Sequence, residues 1–510
     1  MGAIRLLDSH VGREPLHGVA TTRRIEVEAA RTLPAFTLMT RAGDSVARLA
    51  LALAPHARRF VVFAGPGNNG GDGLEAATRL RSMGKDASVR LFGEPSSLPV
   101  DATNALARAR DAGVPIVVGS DALFANADAT ADVLIDALLG IGATRPPAAG
   151  LADAIATMAR AAARGSRVLA VDVPSGLDAE RGQPLGAACV VAHDTLTLLT
   201  AKPGLFTSAG RDHAGRVWID RLDVDAASQA ADAWLVGRGE LARFVAPRLQ
   251  AEHKGSFGDV AIVGGGAGME GAVLLAARAA HAAGAGRVFV DLLGDAAKTF
   301  AVDAQRPELM MRHGWWQGPQ SVLAASTVIC GCGGGDAVRA ALPRLLSVAT
   351  RLVLDADALN AIAADTGLQT MLSVRASRQL ATVLTPHPLE AARLLETTAQ
   401  AVQDDRLRAA SALAERYRSI IVLKGSGTVV VAPDERPFVN ATGNASLATA
   451  GTGDVLAGWI GGRWRTGMRA IDVALQGVIE HGVAAEPELP GALRAGDLVE
   501  ALYRLARTPR

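Results

Sequence analysis

Short apolar runs alternate with Ala- and Leu-rich stretches along the whole chain. In the first half, Phe60–Ala64, Ala87–Phe92, Pro115–Val118, Val133–Ala137, Arg167–Asp172 and Thr195–Thr200 read as strands. Such continuous apolar runs fit strands buried on both faces. Between them, Leu74–Met83, Asp101–Ala112 and Leu151–Ala163 read as helices. Strands alternating with helices predict a parallel sheet covered on both sides. The rhythm lapses over 222–238, a stretch rich in Ala and Asp. It restarts after Lys254 with strands at Asp259–Gly264, Arg287–Leu292, Thr327–Gly331, Arg351–Asp355, Ala381–Thr385 and Ser419–Lys424. No repeat relates the two halves. The expected fold class is α/β, with two different three-layer domains at 1–222 and 239–510 and a linker at 223–238.

Composition narrows the function classes. Of 510 residues, 49% are hydrophobic, enough for two large cores. Lys+Arg number 52 against 51 Asp+Glu, so no bulk field draws in nucleic acid or anionic lipid. Three cysteines (Cys189, Cys330 and Cys332) make no disulfide framework and suit a reduced compartment. Cys330-Gly331-Cys332 lacks the second ligand pair of a zinc site. The N-terminus has no signal-peptide pattern, and no run of about 18 uncharged apolar residues occurs. The expectation is a cytoplasmic protein with neither nucleic acid nor membrane as partner.

Candidate chemistry in the first half lies where strands end. Phe60–Ala64 runs into Gly65-Pro66-Gly67-Asn68-Asn69-Gly70-Gly71-Asp72-Gly73 and then a helix. The glycines let backbone approach a ligand, and a helix start favours an anion. The spacing is not that of a P-loop, since Gly71 follows Gly70 where Lys would stand. A tight turn with Asx capping explains the segment equally well. Two further strands end in Asp136 and in Asp172-Val173-Pro174-Ser175. Oxygen ligands converging without His or Cys suit a hard cation or a hydroxyl-bearing ligand.

The segments NNGGDG, DALLGIGATRP and VDVPSGLD resemble the NAD(P)H-hydrate epimerase domain over most of 20–220. The resemblance implies a Rossmann-like domain with a K⁺ site on Asn69, Asp136 and Ser175. It also implies substrate contacts from Asn68, Asn69, Gly70, Gly71 and Asp72, from Gly140, Ile141, Gly142, Ala143, Thr144, Arg145 and Pro146, and from Asp172. Where Thr40 stands, an acid is usual. Inverting a hydroxyl-bearing carbon beside the ring nitrogen needs an acid/base group, for which Asp172 is the candidate. Lys202 reads as a solvated lysine, with phosphate contact as the alternative.

In the second half, Gly266-Ala267-Gly268-Met269-Glu270-Gly271 matches a dinucleotide fingerprint, with Asp291 at the next strand end. Close packing of the Ala-rich helix 272–283 explains these small residues without a ligand. Gly451-Thr452-Gly453-Asp454 opens a helix, whose free N–H groups suit a transferring phosphoryl group and whose aspartate suits a hydroxyl proton. This motif resembles the ribokinase-like superfamily. Together with HKGSFGDVAIVGG at 253–265, LDADALN, LTPHPLE and KGSGT, it resembles the ADP-dependent NAD(P)H-hydrate dehydratase over about 240–505. Cys332 stands where Pro is more usual. The resemblance places Ala272, Gly333, His387 and Asp454 on the hydrated cofactor. It places Lys424, Gly425, Ser426, Gly427, Thr428 and Gly453 on the adenine nucleotide, with Mg²⁺ accompanying ADP.

The combined expectation is repair of hydrated nicotinamide cofactors. One domain interconverts the R and S forms of NADHX and NADPHX. The other dehydrates the S form at the expense of ADP, giving AMP and phosphate, with Asp454 and Asp172 catalytic. A homo-oligomer is expected. A small-alcohol or vitamin-precursor kinase fused to a ligand-binding domain is the alternative. A nucleotide-binding scaffold and a dehydrogenase built on 266–291 stand further back.

Overall fold

The computed structural model describes residues 3–119, 131–226, 229–244, 249–294, 302–486 and 491–507. The chain forms two compact units, Met1–Asp8 with Glu14–Ala233 and Ser9–Arg13 with Trp234–Arg510.

In the first unit the described strands order as Arg5–Leu7, Arg216–Asp220, Asp194–Leu198, Arg167–Val171, Val133–Ala137, Arg59–Ala64, Asp86–Leu91 and Ile116–Val118. All neighbours are parallel except Arg5–Leu7, which runs antiparallel to Arg216–Asp220. Arg59–Ala64 shows why the apolar runs are continuous. Phe60, Val62 and Ala64 join a core with Val46, Leu74 and Leu106 from the helices Thr37–Leu53, Asn68–Ser82 and Val100–Asp111. Val61 and Phe63 face the opposite core, with Ile155 and Met158 of Ala149–Ala162. Alternate side chains point to opposite faces, so both faces must be apolar.

The second unit orders Met310–Met311, Arg287–Leu292, Asp259–Gly264, Thr327–Cys330, Arg351–Leu354, Ala381–Leu384 and Ile420–Leu423 in parallel. Val429–Val431 and Phe438–Asn440 then extend the sheet antiparallel. Val260 and Ile262 face a core with Val273, Ile460 and Ile479, while Ala261 and Val263 face one with Leu345, Leu359 and Leu413.

Several strands go beyond the sequence pattern. Arg216–Asp220 and Arg5–Leu7 mix polar with apolar residues, as strands toward an edge do. Ala233–Val236 lies in the stretch read as linker, yet it pairs parallel with Phe438–Asn440. Its four residues are too short a run to stand out among Ala and Asp. Residues 227 and 228 of that stretch lie outside the described residues.

Both sheets contain a point where the strand order reverses. In the first it falls between Arg59–Ala64 and Val133–Ala137, in the second between Asp259–Gly264 and Thr327–Cys330. Loops leaving such a pair diverge and open a crevice beyond the strand ends.

Two candidate active sites

In the first unit the crevice is a cavity of ≈560 Å³. Its wall includes Gly67, Asn68, Asn69 and Asp72 after one strand, Leu138–Ala143 after the next, and Asp172 after the third. The close approach of these loops explains the glycines. A Cβ on Gly65 would overlap the Leu138 carbonyl, and one on Gly70 would overlap the Gly65 carbonyl. Gly70 and Gly71 therefore serve packing, and neither lines the cavity. The lining also stops at Ala143. Thr144, Arg145 and Pro146 fall outside it, with Pro146 lying against Gly186.

Asp172 has φ +68, a left-handed conformation that an L-residue adopts only at a cost. It ends its strand there and turns the carboxylate inward. Its Oδ1 accepts the Leu198 N–H at 3.1 Å and pairs with Lys202 Nζ. Lys202 corrects the expectation of a solvated side chain, since it is 1% exposed. Its ammonium also donates to the Leu198 carbonyl at 2.7 Å, so the buried charge is paired and hydrogen-bonded.

Asp136 is fully buried. It accepts Ser175 N–H at 2.8 Å, Ser175 Oγ–H at 2.6 Å and Leu138 N–H at 3.3 Å. Burial nevertheless pushes its carboxyl up to about 6, against the pull of these donors. Asn69 Nδ2 is buried without a hydrogen-bond partner. Turning that amide would present its oxygen in place of the nitrogen. An uncompensated carboxylate, a hydroxyl and an orphaned amide fit a monovalent cation with oxygen ligands.

Thr40, where the resemblance departs, lies away from this crevice. It lines a second cavity of ≈450 Å³ with Arg41, Asp44 and Arg79. Sequence reasoning missed Glu26 and Asp101, which line the first cavity from helices with no motif of their own.

In the second unit, Gly265 N–H donates to the Cys332 carbonyl at 2.9 Å and Gly266 N–H to the Gly333 carbonyl at 2.6 Å, tying the two diverging loops. A Cβ on Gly333 would meet Met269 and Ala272, so two expected substrate residues, Gly333 and Ala272, do lie together. Gly451, at φ +90, starts the helix Thr452–Arg463, which carries Asp454 in its first turn. His481, buried, holds that start through Nε2–H donated to the Thr452 carbonyl at 2.9 Å, and burial pushes its pKa down to about 4. No sequence motif marks His481.

Cys332, Asp355 and Asp454 bring their ligand atoms within 4.8 Å of one another. Burial, then Asp355, push the Asp454 carboxyl up to about 6. Lys424 Nζ donates to Asp355 Oδ1 at 2.7 Å, and Thr385 Oγ to the same oxygen at 2.8 Å. Gly453 lies so near that a Cβ there would sit 3.4 Å from Lys424 Nζ. The trio does not suit a resident Mg²⁺. Burial holds the Cys332 thiol protonated, a thiol is a soft ligand, and Lys424 already neutralises Asp355.

The Lys424–Thr428 loop rests on Arg406, which is 1% exposed and donates to the Leu423 and Lys424 carbonyls at 3.1 Å. Gly425 has φ +136, and a Cβ there would meet Arg406 at 2.8 Å. His387 caps the helix Pro388–Leu395, its Nδ1 accepting the Leu389 N–H at 3.1 Å while Nε2 lies 3.2 Å from Glu390. Both ring nitrogens are thus engaged within that turn. Asp291 is buried and accepts the Gly314 and Trp316 N–H groups at 2.9 and 3.0 Å. Both of its oxygens hold the turn at 314–316, which gives Asp291 a structural role.

The fold and these sites define a two-unit α/β protein with a cluster of carboxylates beyond the strand ends of each unit. The YjeF-related protein N-terminus family matches residues 35–204, and the NAD(P)H-hydrate dehydratase family matches 260–500. The bifunctional NAD(P)H-hydrate repair enzyme Nnr of Escherichia coli (strain K12) is 35% identical over 474 residues, covering 91% of this chain and 88% of that protein. The enzyme of the same name from Coxiella burnetii is 34% identical, covering 91% and 92%. An ADP/ATP-dependent NAD(P)H-hydrate dehydratase from Bacillus subtilis, co-crystallised with ATP/Mg²⁺, is 28% identical over 52% of this chain and 95% of its own, with a TM-score of 0.45. The chain belongs to the family of bifunctional NAD(P)H-hydrate repair enzymes, combining an epimerase and a dehydratase. The kinase and scaffold readings fall with that membership. No helix among the described residues is long and apolar enough to cross a membrane.

Proposed function

We propose that epimerisation takes place in the ≈560 Å³ cavity of the first unit and dehydration at Asp454 in the second. The observation that carries the first assignment is the paired Asp172–Lys202 facing the cavity, whose wall also includes Asn68, Asn69, Asp72 and Gly140–Ala143. Asp172 acts as acid/base on the hydroxyl beside the ring nitrogen, and Lys202 holds its carboxylate in place. Asn69, Asp136 and Ser175 hold K⁺. A bound K⁺ supplies the positive charge that buried Asp136 lacks, and so fixes the loops after the second and third strands.

In the second unit Asp454 takes the hydroxyl proton of the S hydrate, bound against Ala272, Gly333 and the His387 turn. The hydroxyl oxygen bonds to the β-phosphorus of ADP, and the bond to AMP breaks. Phosphate then leaves with the C–O electron pair as the ring nitrogen's pair forms a C=N bond, and loss of the neighbouring proton restores the ring double bond and returns the pair to nitrogen. Lys424–Thr428 and Gly453 bind the nucleotide, while the helix-start N–H groups steady the phosphoryl charge. Mg²⁺ enters as part of the ADP substrate and needs no cage of its own. Both substrates are soluble small molecules, and this reading keeps a cytoplasmic location and a homo-oligomer.

The test is stoichiometry. One AMP and one phosphate are expected per dihydronicotinamide regained from the S form. A stable phosphorylated hydrate accumulating instead would overturn the dehydration scheme.

A further inference from the structure

The first cavity holds more carboxyl groups than a single acid/base reaction uses. Asp172 is one, and Asp72 and Glu26 line the same wall. Asp72 sits in the second turn of Asn68–Ser82, the helix that follows the strand Arg59–Ala64. Asp172 follows Arg167–Val171. Between these two strands lies Val133–Ala137, whose exit loop Leu138–Ala143 forms the cavity wall between them. Strand spacing puts the ends of the two outer strands about 10 Å apart. A planar ring lying over the middle loop therefore has Asp172 toward one side and Asp72 toward the other.

Their surroundings differ. Asp172 has Lys202 and the Leu198 N–H. The strongest charges on Asp72 are all negative, led by Asp172 and Glu26, with Glu75 and Asp101 behind them. The remaining charged cavity groups are Arg23 and Lys202, and Lys202 is already spent on Asp172. Burial and these neighbours hold the Asp72 carboxyl well above its ordinary range, and Glu26 is raised as well, but Asp72 is the one that follows the strand on the far side of the middle loop from Asp172. Two carboxyl groups in opposite environments are the usual signature of a divided acid/base task.

We infer that Asp72 is a second catalytic residue of the epimerase, working on the ring face opposite Asp172. The inference rests on the proposed placement of the substrate in this cavity. As the C–O bond breaks, the ring nitrogen's electron pair forms a C=N bond, and the protonated carboxyl gives its proton to the departing hydroxyl, which leaves as water. Water then adds to the carbon from the opposite face, gives its proton to the ionised carboxyl, and the C=N pair returns to nitrogen. The two groups exchange roles for the reverse direction. Atoms and charge balance with no co-reactant other than water.

The experiment follows interconversion of purified R and S NADHX by chromatography, without nucleotide, in full-length Asp72→Asn, Asp172→Asn and Met39→Trp variants. Asn keeps the shape of a protonated Asp and can still donate a hydrogen bond, but cannot release a proton. Asp72→Asn is expected to lower kcat at least about 100-fold with KM little changed, and to remove the high-pH limb of the kcat profile. A kcat within about threefold of the parent, with or without a raised KM, would confine Asp72 to binding and overturn the inference. Met39→Trp fills the cavity wall. Its full activity would instead overturn the placement of the substrate, which separates the two failures. A parent-like thermal melt of the first unit checks that each variant is folded, and unchanged recovery of the dihydronicotinamide from the S form with ADP checks that the second unit is untouched.

Discussion

Each unit sets a lysine, Lys202 buried and Lys424 partly so, against an aspartate beyond the ends of its parallel strands, but the two lysines do different things. In the first unit Lys202 lies on Asp172, the proposed acid/base. In the second, Lys424 lies on Asp355, and Asp454 is left beside that pair with its carboxyl pushed up to about 6. The contrast follows the chemistry. Epimerisation moves no phosphoryl group, so the lysine is free to fix the carboxyl. Dehydration brings in an anionic nucleotide, so the lysine faces the helix start at Gly453, where phosphate is expected, and Asp454, the proposed base, has no cation bonded to it. On the proposed roles, one fold device, a strand-end aspartate paired with a lysine, gives two reactivities according to which carboxylate the ammonium touches.

Substituting the lysines breaks this comparison most severely. Lys424→Met is expected to lower nucleotide-dependent dehydration by about 10³-fold, since it removes phosphate contact and leaves Asp355 buried without its cation. Epimerisation should be unaffected. Lys202→Met is the mirror case. It should lower epimerisation by about 100-fold and destabilise the first unit by about 3–5 kcal/mol, read by thermal melting, while S-form dehydration persists below the melt. An equal loss of both activities in either variant would refute the separation of roles.

The proposed K⁺ site, Asn69, Asp136 and Ser175, lies in the first unit. Replacing K⁺ by the larger tetramethylammonium is expected to slow epimerisation about tenfold and leave dehydration unchanged. Asp136→Asn should make the rate insensitive to K⁺.

Proton linkage sharpens the comparison further. Asp454 works as a base only when ionised, so kcat for dehydration should rise with pH through about 6. Its folded value exceeds the unfolded 3.8. The folded state therefore holds this proton more tightly, and the associated stability is present below 3.8 and lost as pH rises through about 6. At neutral pH Asp454→Asn should accordingly stabilise the second unit by about 1–2 kcal/mol, measured by denaturant titration. The smallest effect is expected from Gly425→Ala. A left-handed φ and the Arg406 contact should displace the nucleotide loop and raise KM for ADP several-fold with little change in kcat.

Much of this was legible in the chain itself, because buried parallel strands announce themselves as continuous apolar runs. Val133–Ala137 and Asp259–Gly264 have the bounds that their sequences suggest. Strand-end carboxylates followed directly, since Asp136 and Asp172 interrupt or end such runs. Ala233–Val236 was hidden because four residues carry too little pattern to separate a sheet strand from a loop. Lys202 was misjudged because its partner lies 30 residues earlier in the chain, at a strand end that only the folded sheet brings near. His481, Glu26 and Asp101 were invisible for the same reason. Each sits on an ordinary helix and gains a role only through what the helix is packed against.

The central claim is that two chemistries reside on two separate carboxylate centres. Recovery of dihydronicotinamide absorbance from a mixed R and S preparation of hydrated NADH, with Mg²⁺, K⁺ and ADP, tests it most directly. The parent enzyme should recover the whole pool in one phase. Asp172→Asn should recover the S portion at the parent rate and the R portion slowly, whereas Asp454→Asn should recover nothing. Complete, single-phase recovery by Asp172→Asn, or nucleotide-dependent recovery by Asp454→Asn, would contradict the account.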